Sequence, residues 1–135
     1  MKPILNIATL AILFLSLFFA SCDKNEISAP PKIKIMVNGD DVTAVPSVIV
    51  ATGARVEYQF DIVGSSIIDD IKTVFYDITN PVKKVSKQVL VAGQSNALTE
   101  TVKGVLFVAT NTEIMLVVKD IDGNEVSKTI TITIQ

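Results

Sequence analysis

The chain has 135 residues, with 12 Lys and Arg against 14 Asp and Glu, one cysteine, and neither histidine nor tryptophan. That length suits one domain. The missing histidine excludes Ser-His and Cys-His catalysis and leaves zinc only carboxylates, and scattered charge with Arg55 as the single arginine speaks against nucleic acid, whose phosphates need clustered cations.

The first predicted element is a signal helix over 1–21. Lys2 precedes an apolar run from Ile4 to Ala20, and the small residues Ala20 and Ser21 stand just ahead of Cys22. This is the layout of a secretory signal. A spanning helix takes about 20 apolar residues; the run is shorter and holds Asn6, Thr9 and Ser16. The segment resembles a bacterial lipoprotein signal, in which the cysteine becomes the lipidated N-terminus. Where that family usually has Leu and then Gly or Ala before the cysteine, this chain has Phe19 and Ser21. Ser21-Cys22 followed by Asp23-Lys24-Asn25-Glu26 resembles the looser form of Bacteroidota lipoproteins. The resemblance implies acylation of Cys22, attachment to the outer membrane and display on its surface. Two or more acyl chains hold a protein stably on a membrane, where one does so marginally. A lone cysteine forms no disulfide within its own chain, so the domain must hold by core burial.

Without residues 1–21 the chain keeps 11 basic and 14 acidic residues, a net charge of about −3. Residues 22–31 read as a lipidated tether: polar, without periodicity, and ending in Pro30-Pro31, which favours extended backbone. Residues 32–135 read as the domain.

From Lys32 the pattern is β. Ile33, Ile35 and Val37 alternate with Lys32, Lys34 and Met36, and Asn38-Gly39 is a hairpin turn signal. Val45 to Val50 is a second strand, placed at an edge by Pro46. Arg55 to Val63 is the clearest: Val56, Tyr58, Phe60 and Ile62 on one face, Arg55, Glu57, Gln59 and Asp61 on the other. Gly64-Ser65-Ser66 breaks it, and Ile67 to Asp70 reads as a loop. Ile71 to Ile78 is a strand, stopped by Asn80-Pro81. Val82 to Val91 follows, with Lys83, Lys84 and Lys87 to blunt an exposed edge. Leu98 to Lys103 alternates, and Val105 to Ala109 reads as a separate short strand or connector beyond Gly104. Glu113 to Lys119 is nearly all apolar, the pattern of a central strand buried on both faces. Asp122-Gly123 marks a turn. Ile130, Ile132 and Ile134 then point inward from a last strand over Lys128 to Gln135.

Short strands with turn signals every 8–12 residues predict an all-β sandwich of about seven strands. Val117 to Glu125, followed by the Ile130 to Ile134 alternation, resembles the last hairpin of immunoglobulin-like domains of bacterial surface proteins, fibronectin type III-like and PKD-like modules among them. The resemblance implies an antiparallel immunoglobulin-like sandwich and non-catalytic work. The cysteine pair and core tryptophan of antibody domains are absent.

Candidate chemistry is sparse. Asp120, Asp122 and Asn124 alternate as at the start of a calcium loop, but an EF-hand needs Gly at its sixth place and Glu at its twelfth; here those places hold Glu125 and Thr131. The expectation is a turn capped by Asp120 and no metal or cofactor. No enzyme is expected: Glu57, Asp61 and Asp77 have simpler roles as solvent-facing strand residues. A protein or glycan ligand is the expected partner besides the membrane. The loops Gly64 to Asp70, Asn80 to Lys84 and Gly93 to Asn96 are the candidate surface, with Ile67-Ile68 a contact patch if exposed and otherwise a plug for the end of the sandwich. An assembly subunit pairing through an open edge at Lys128 to Gln135 is the rival reading. A glycan-binding accessory lipoprotein is a third, and it requires Tyr58 or Tyr76 to be exposed.

Overall fold

Alternation decides which residues become strands and which way each faces. The computed structural model describes residues 28–79, 82, 84–91 and 97–135. The predicted signal helix, Cys22, the loop Gly93 to Asn96 and, in the loop Asn80 to Lys84, Asn80, Pro81 and Lys83 lie outside the described residues. Among these, nine strands form: β1 (Lys32–Val37), β2 (Asp40–Asp41), β3 (Ser47–Val50), β4 (Ala54–Val63), β5 (Ile68–Asp77), β6 (Lys84–Val91), β7 (Thr99–Val108), β8 (Thr112–Asp120) and β9 (Glu125–Ile134). The sequence predicts about seven strands; the two-residue β2 is one that it reads as part of a turn.

The strands form two sheets, ordered β2-β1-β4-β7 and β3-β9-β8-β5-β6. All neighbours are antiparallel except β3, which runs parallel to β9. This is an immunoglobulin-like β-sandwich. Ile33, Ile35, Val56, Phe60 and Ile62 face Ile114, Leu116, Val118, Ile130 and Ile132 across the core, and all are buried. Burying such side chains, at about 1.5–3 kcal/mol each, is the main force holding the sheets together.

The β1–β2 hairpin closes as its sequence predicts. Asn38 and Gly39 both take positive φ, 52° and 88°, as a type I′ turn demands. Asn38 Oδ1 also accepts the Glu57 N–H at 2.9 Å, bracing the turn against β4.

Four predicted features are corrected. The two predicted pieces from Leu98 to Ala109 are one strand, β7, and it runs through Gly104 with no shift in its register to β4. Gly104 therefore serves no turn. Ile68 starts β5, with a register irregularity between Ile68 and Asp70, and is not in a loop. β8 is buried on one face alone: Ile114, Leu116 and Val118 are sealed in, whereas Met115 and Val117 on the outer face are half-buried. The last strand is not an open edge, because β3 pairs with its Thr131–Ile134 half and the Gln135 N–H donates to the Val50 carbonyl at 3.0 Å.

Both ends of the sandwich are stitched by hydrogen bonds of the backbone, one of them to a side chain. At the end where β1 begins, Gly64 N–H reaches the Leu98 carbonyl at 2.7 Å and Ile121 N–H the Ile67 carbonyl at 3.0 Å. At the other, Ile78 N–H reaches the Asn111 carbonyl at 2.9 Å, and Asn111 Oδ1 accepts the Ile134 N–H at 2.8 Å.

Candidate functional site

Three arrangements carry the chemistry of this domain: the β8–β9 turn, the interior around Tyr58, and the outer face and edge of β7.

The turn is built on Asp120. Its side chain is buried, and Oδ1 accepts the backbone N–H of Asp122 at 3.0 Å and of Asn124 at 2.8 Å. Oδ2 accepts from Asn124 Nδ2 at 2.8 Å. Gly123 supplies the positive φ of 86° at the tip. The carboxylate is thus committed to the turn on both oxygens. Asp122 points away and accepts the Ser28 hydroxyl at 2.6 Å, and that bond, with a second from Ser66, holds its carboxyl below the usual range. Among the described residues, no three His, Cys, Asp or Glu side chains gather into a metal-holding group. Asp120, Asp122 and Asn124 are therefore together, but as a capped turn.

The same turn grips the entering chain. Asn124 Nδ2 donates to Ser28 Oγ at 2.8 Å and to the Ser28 carbonyl at 3.1 Å, and the Ser65 hydroxyl donates to the Ala29 carbonyl at 2.5 Å. The C-terminal end of the predicted tether is thus part of the domain. Polar composition hid this: serine and asparagine look alike in a free linker and in a hydrogen-bonded clasp.

Tyr58 leaves β4 on the inner face and lies flat over Gly104. A side-chain carbon at Gly104 would stand 2.5 Å from the Tyr58 hydroxyl oxygen. The ring meets Phe60 and Phe75 edge-on, with centroids 6.1 and 5.8 Å away. Its partial burial raises the pKa of the phenol. One cavity of about 290 Å³ lies against Tyr58, Ile71, Thr73 and Val102, and another of about 210 Å³ against Tyr58, Phe75 and Leu106. Thr73 is 2% exposed, and its hydroxyl has no partner among the described residues.

Outside, β4 and β7 carry a ladder of polar contacts. Arg55 pairs with Glu57, and Asp61 Oδ1 accepts from Gln59 Nε2 at 2.8 Å and from the Thr101 hydroxyl at 3.0 Å. A trough of about 470 Å³ runs between Met36 and Gln59 on one side and Lys103 and Val105 on the other. Beside it Phe107 is 69% exposed and Val105 49%.

Of the predicted contact residues, Ile68 is buried and plugs the end of the core, and Ile67 is partly covered. Tyr58 packs against the core from the inner face of β4 and is partly buried, as is Tyr76. Among the described residues the exposed aromatic is Phe107, which the sequence concealed by setting it in the apolar run Val105-Leu106-Phe107-Val108.

No family model matches the chain, and no curated protein matches it. Solved structures are similar to the chain at low identity. The sporulation control protein Spo0M of Bacillus subtilis is 11% identical at a TM-score of 0.47, the match covering 79% of this chain and 51% of that one; the chain thus spans about half of Spo0M. A superoxide reductase from Ignicoccus hospitalis is 12% identical at 0.46, covering 84% and 86%. The CARDB domain of a Pyrococcus furiosus protein, solved with di-metal ions, is 12% identical at 0.39, covering 78% and 96%. Likenesses this remote carry no argument about ligand or activity.

Proposed function

We propose that this is a non-catalytic lipoprotein, anchored in the outer membrane through Cys22, whose single fibronectin III- or PKD-like sandwich is a binding or accessory module for an envelope partner. The observation that carries the reading is the clasp at Ser28. The apolar run and Ser21-Cys22 end six positions before Ser28, which is bonded to Asp122 and Asn124. Five residues, 23–27, separate the lipidation point from the clasp, a reach of about 20 Å when extended. Such a chain holds the domain close to the membrane and leaves its sheet faces and far loops for a partner.

The test is fractionation of cells making the parent protein or Cys22→Ala, with protease added to intact and to lysed cells. The parent stays with the membranes, and Cys22→Ala is released or accumulates as precursor. Normal maturation and membrane retention of Cys22→Ala would contradict the anchor. Digestion on intact cells identifies the outer face; protection until lysis identifies the periplasmic face.

Assembly through a strand edge is the second reading. The observation favouring it is that β7, a ten-residue strand, ends its sheet.

A further inference from the structure

We propose that β7 is a self-pairing edge: two copies of this chain join antiparallel along it, with Val105 on the two-fold axis. The inference deepens the strand-edge reading by naming the partner, and it does not depend on the lipid anchor.

Four strands end the two sheets, and three of them are poor templates. β2 is two residues long. β3 is four residues long and follows Pro46, which donates no hydrogen bond. β6 carries Lys84 and Lys87, and its register with β5 shifts between Phe75 and Tyr76. Short strands, lysines and bulges are the usual protections of an exposed edge. β7 is different. It is ten residues long, contains no proline, and pairs with β4 in unbroken register from Ala54↔Val108 to Val63↔Thr99. Among the described residues no strand lies on its other side. A straight edge of this length leaves a row of backbone donors and acceptors to fill.

The side chains choose the occupant. A two-fold axis normal to the sheet pairs outward residues with outward ones, so only a few registers are possible. Placing Lys103 on the axis sets two ammonium groups opposite each other. Placing Gly104 there sets Glu100 against Val108 on the inner face. Placing Val105 there sets Val105 against its own copy, Lys103 against Phe107, and Val102 against Val108. The last register covers the outward apolar residues Val105 and Phe107, which are otherwise exposed. It also lays the Lys103 ammonium against the Phe107 ring, an attraction of about 0.5–1 kcal/mol at exposed sites. Glu100 falls opposite Thr110 near the end of the pairing, where it keeps its water. Of these three registers the one centred on Val105 makes the β7 edge complementary to itself, which an edge kept solitary by charge is not. A pairing of one strand buries little area and belongs to the weak class of interfaces. Confinement to a membrane would raise its occupancy.

Cysteine cross-linking of the full chain in whole cells that make it, before any fractionation, tests both the pairing and the register. Directly opposed residues of an antiparallel pair have Cβ atoms about 4.5–5.5 Å apart, close to disulfide reach. Val105→Cys is expected to give a covalent band of twice the mass under mild oxidation. Lys103→Cys alone, offset from its copy by four residues or about 13 Å, is not, but mixed with Phe107→Cys it is. The parent chain controls for Cys22, and Val45→Cys, at a position 71% exposed on the chain before β3, controls for collision. Val105→Asp, which sets two carboxylates on the axis of an exposed position, is expected to abolish the Lys103→Cys with Phe107→Cys cross-link while the domain melts as before. Cross-linking of Val105→Cys no greater than that of Val45→Cys overturns the proposal. Equal yields for Val105→Cys and Lys103→Cys alone overturn the register. Fractionation of the same cells reads the lipid anchor separately: release from membranes with the cross-link intact would sink the anchor and leave the pairing standing.

Discussion

Tyr58 and Gly104 occupy one volume: the phenol lies where any side chain at position 104 would have to go. They are also register partners on β4 and β7. Glycine in a strand interior ordinarily weakens it, so replacement by alanine should help on an open face. Here the sign reverses. Gly104→Ala forces the ring or the β7 backbone aside and is expected to destabilise the domain by about 1–3 kcal/mol, the range of overpacked cores. Urea unfolding measures it. Tyr58→Leu frees the space, so the double variant should be far more stable than the two single losses added together. Simple additivity would contradict the contact.

Asp120 holds the β8–β9 turn through both oxygens. Asp120→Ala strips these acceptors and is expected to cost about 2–3 kcal/mol, as for hydrogen bonds to a buried charge. Asp120→Asn keeps the shape and loses less. Because the carboxylate is already engaged, about 1 mM calcium should leave the thermal midpoint of the parent unchanged. A calcium-dependent rise would show that the turn opens to take a cation.

Thr73 gives a prediction of the opposite sense. Its hydroxyl is buried without a partner among the described residues, and valine has nearly the same shape. Thr73→Val is expected to stabilise the domain by about 1–2 kcal/mol by removing an unpaired polar group. A loss of similar size, read in the same urea titration, would mean that the hydroxyl is satisfied in solution.

The clasp predicts a pH effect. The Ser28 hydroxyl, then that of Ser66, lowers the Asp122 pKa from its ordinary 3.8. A carboxyl with a lower pKa in the folded state adds stability above its unfolded value and loses it as pH falls through the folded one. The contribution is therefore complete above about pH 4 and disappears below. Asp41, held low chiefly by the Thr43 hydroxyl, behaves alike. Ser28→Ala should move the Asp122 titration up toward 3.8, seen by carbon NMR of the carboxyl, and leave Asp41 alone. An unmoved Asp122 would contradict the clasp.

The strands that could be read from sequence are those whose reasons are local. The alternation of Ile33, Ile35 and Val37 needs only the period of two, and Asn38-Gly39 needs only the positive φ that its turn type demands. Features that depend on distant partners were not legible. Gly104 looks like a break because glycine usually is one, and its cause is a tyrosine 46 positions earlier in sequence. Met115 and Val117 look like core, yet the alternation that seals Ile114, Leu116 and Val118 inside turns them to the outer face, where they are half-buried. Whether β9 lies at an edge depends on β3, which returns to pair with it in parallel. Ser28 looked like linker until the turn 94 residues away reached it. The candidate surface was the least legible, because Phe107 sits in an apolar run and its exposure follows only from the place of β7 in the sheet.

The central proposal is that Cys22 becomes the lipid-bearing first residue of a clasped domain. Mass measurement of the N-terminal peptide, released by protease from membrane-derived protein, tests it most directly. The account predicts a peptide that begins at Cys22 and carries acyl chains. A peptide that retains residues 1–21, or begins elsewhere without lipid, would contradict it.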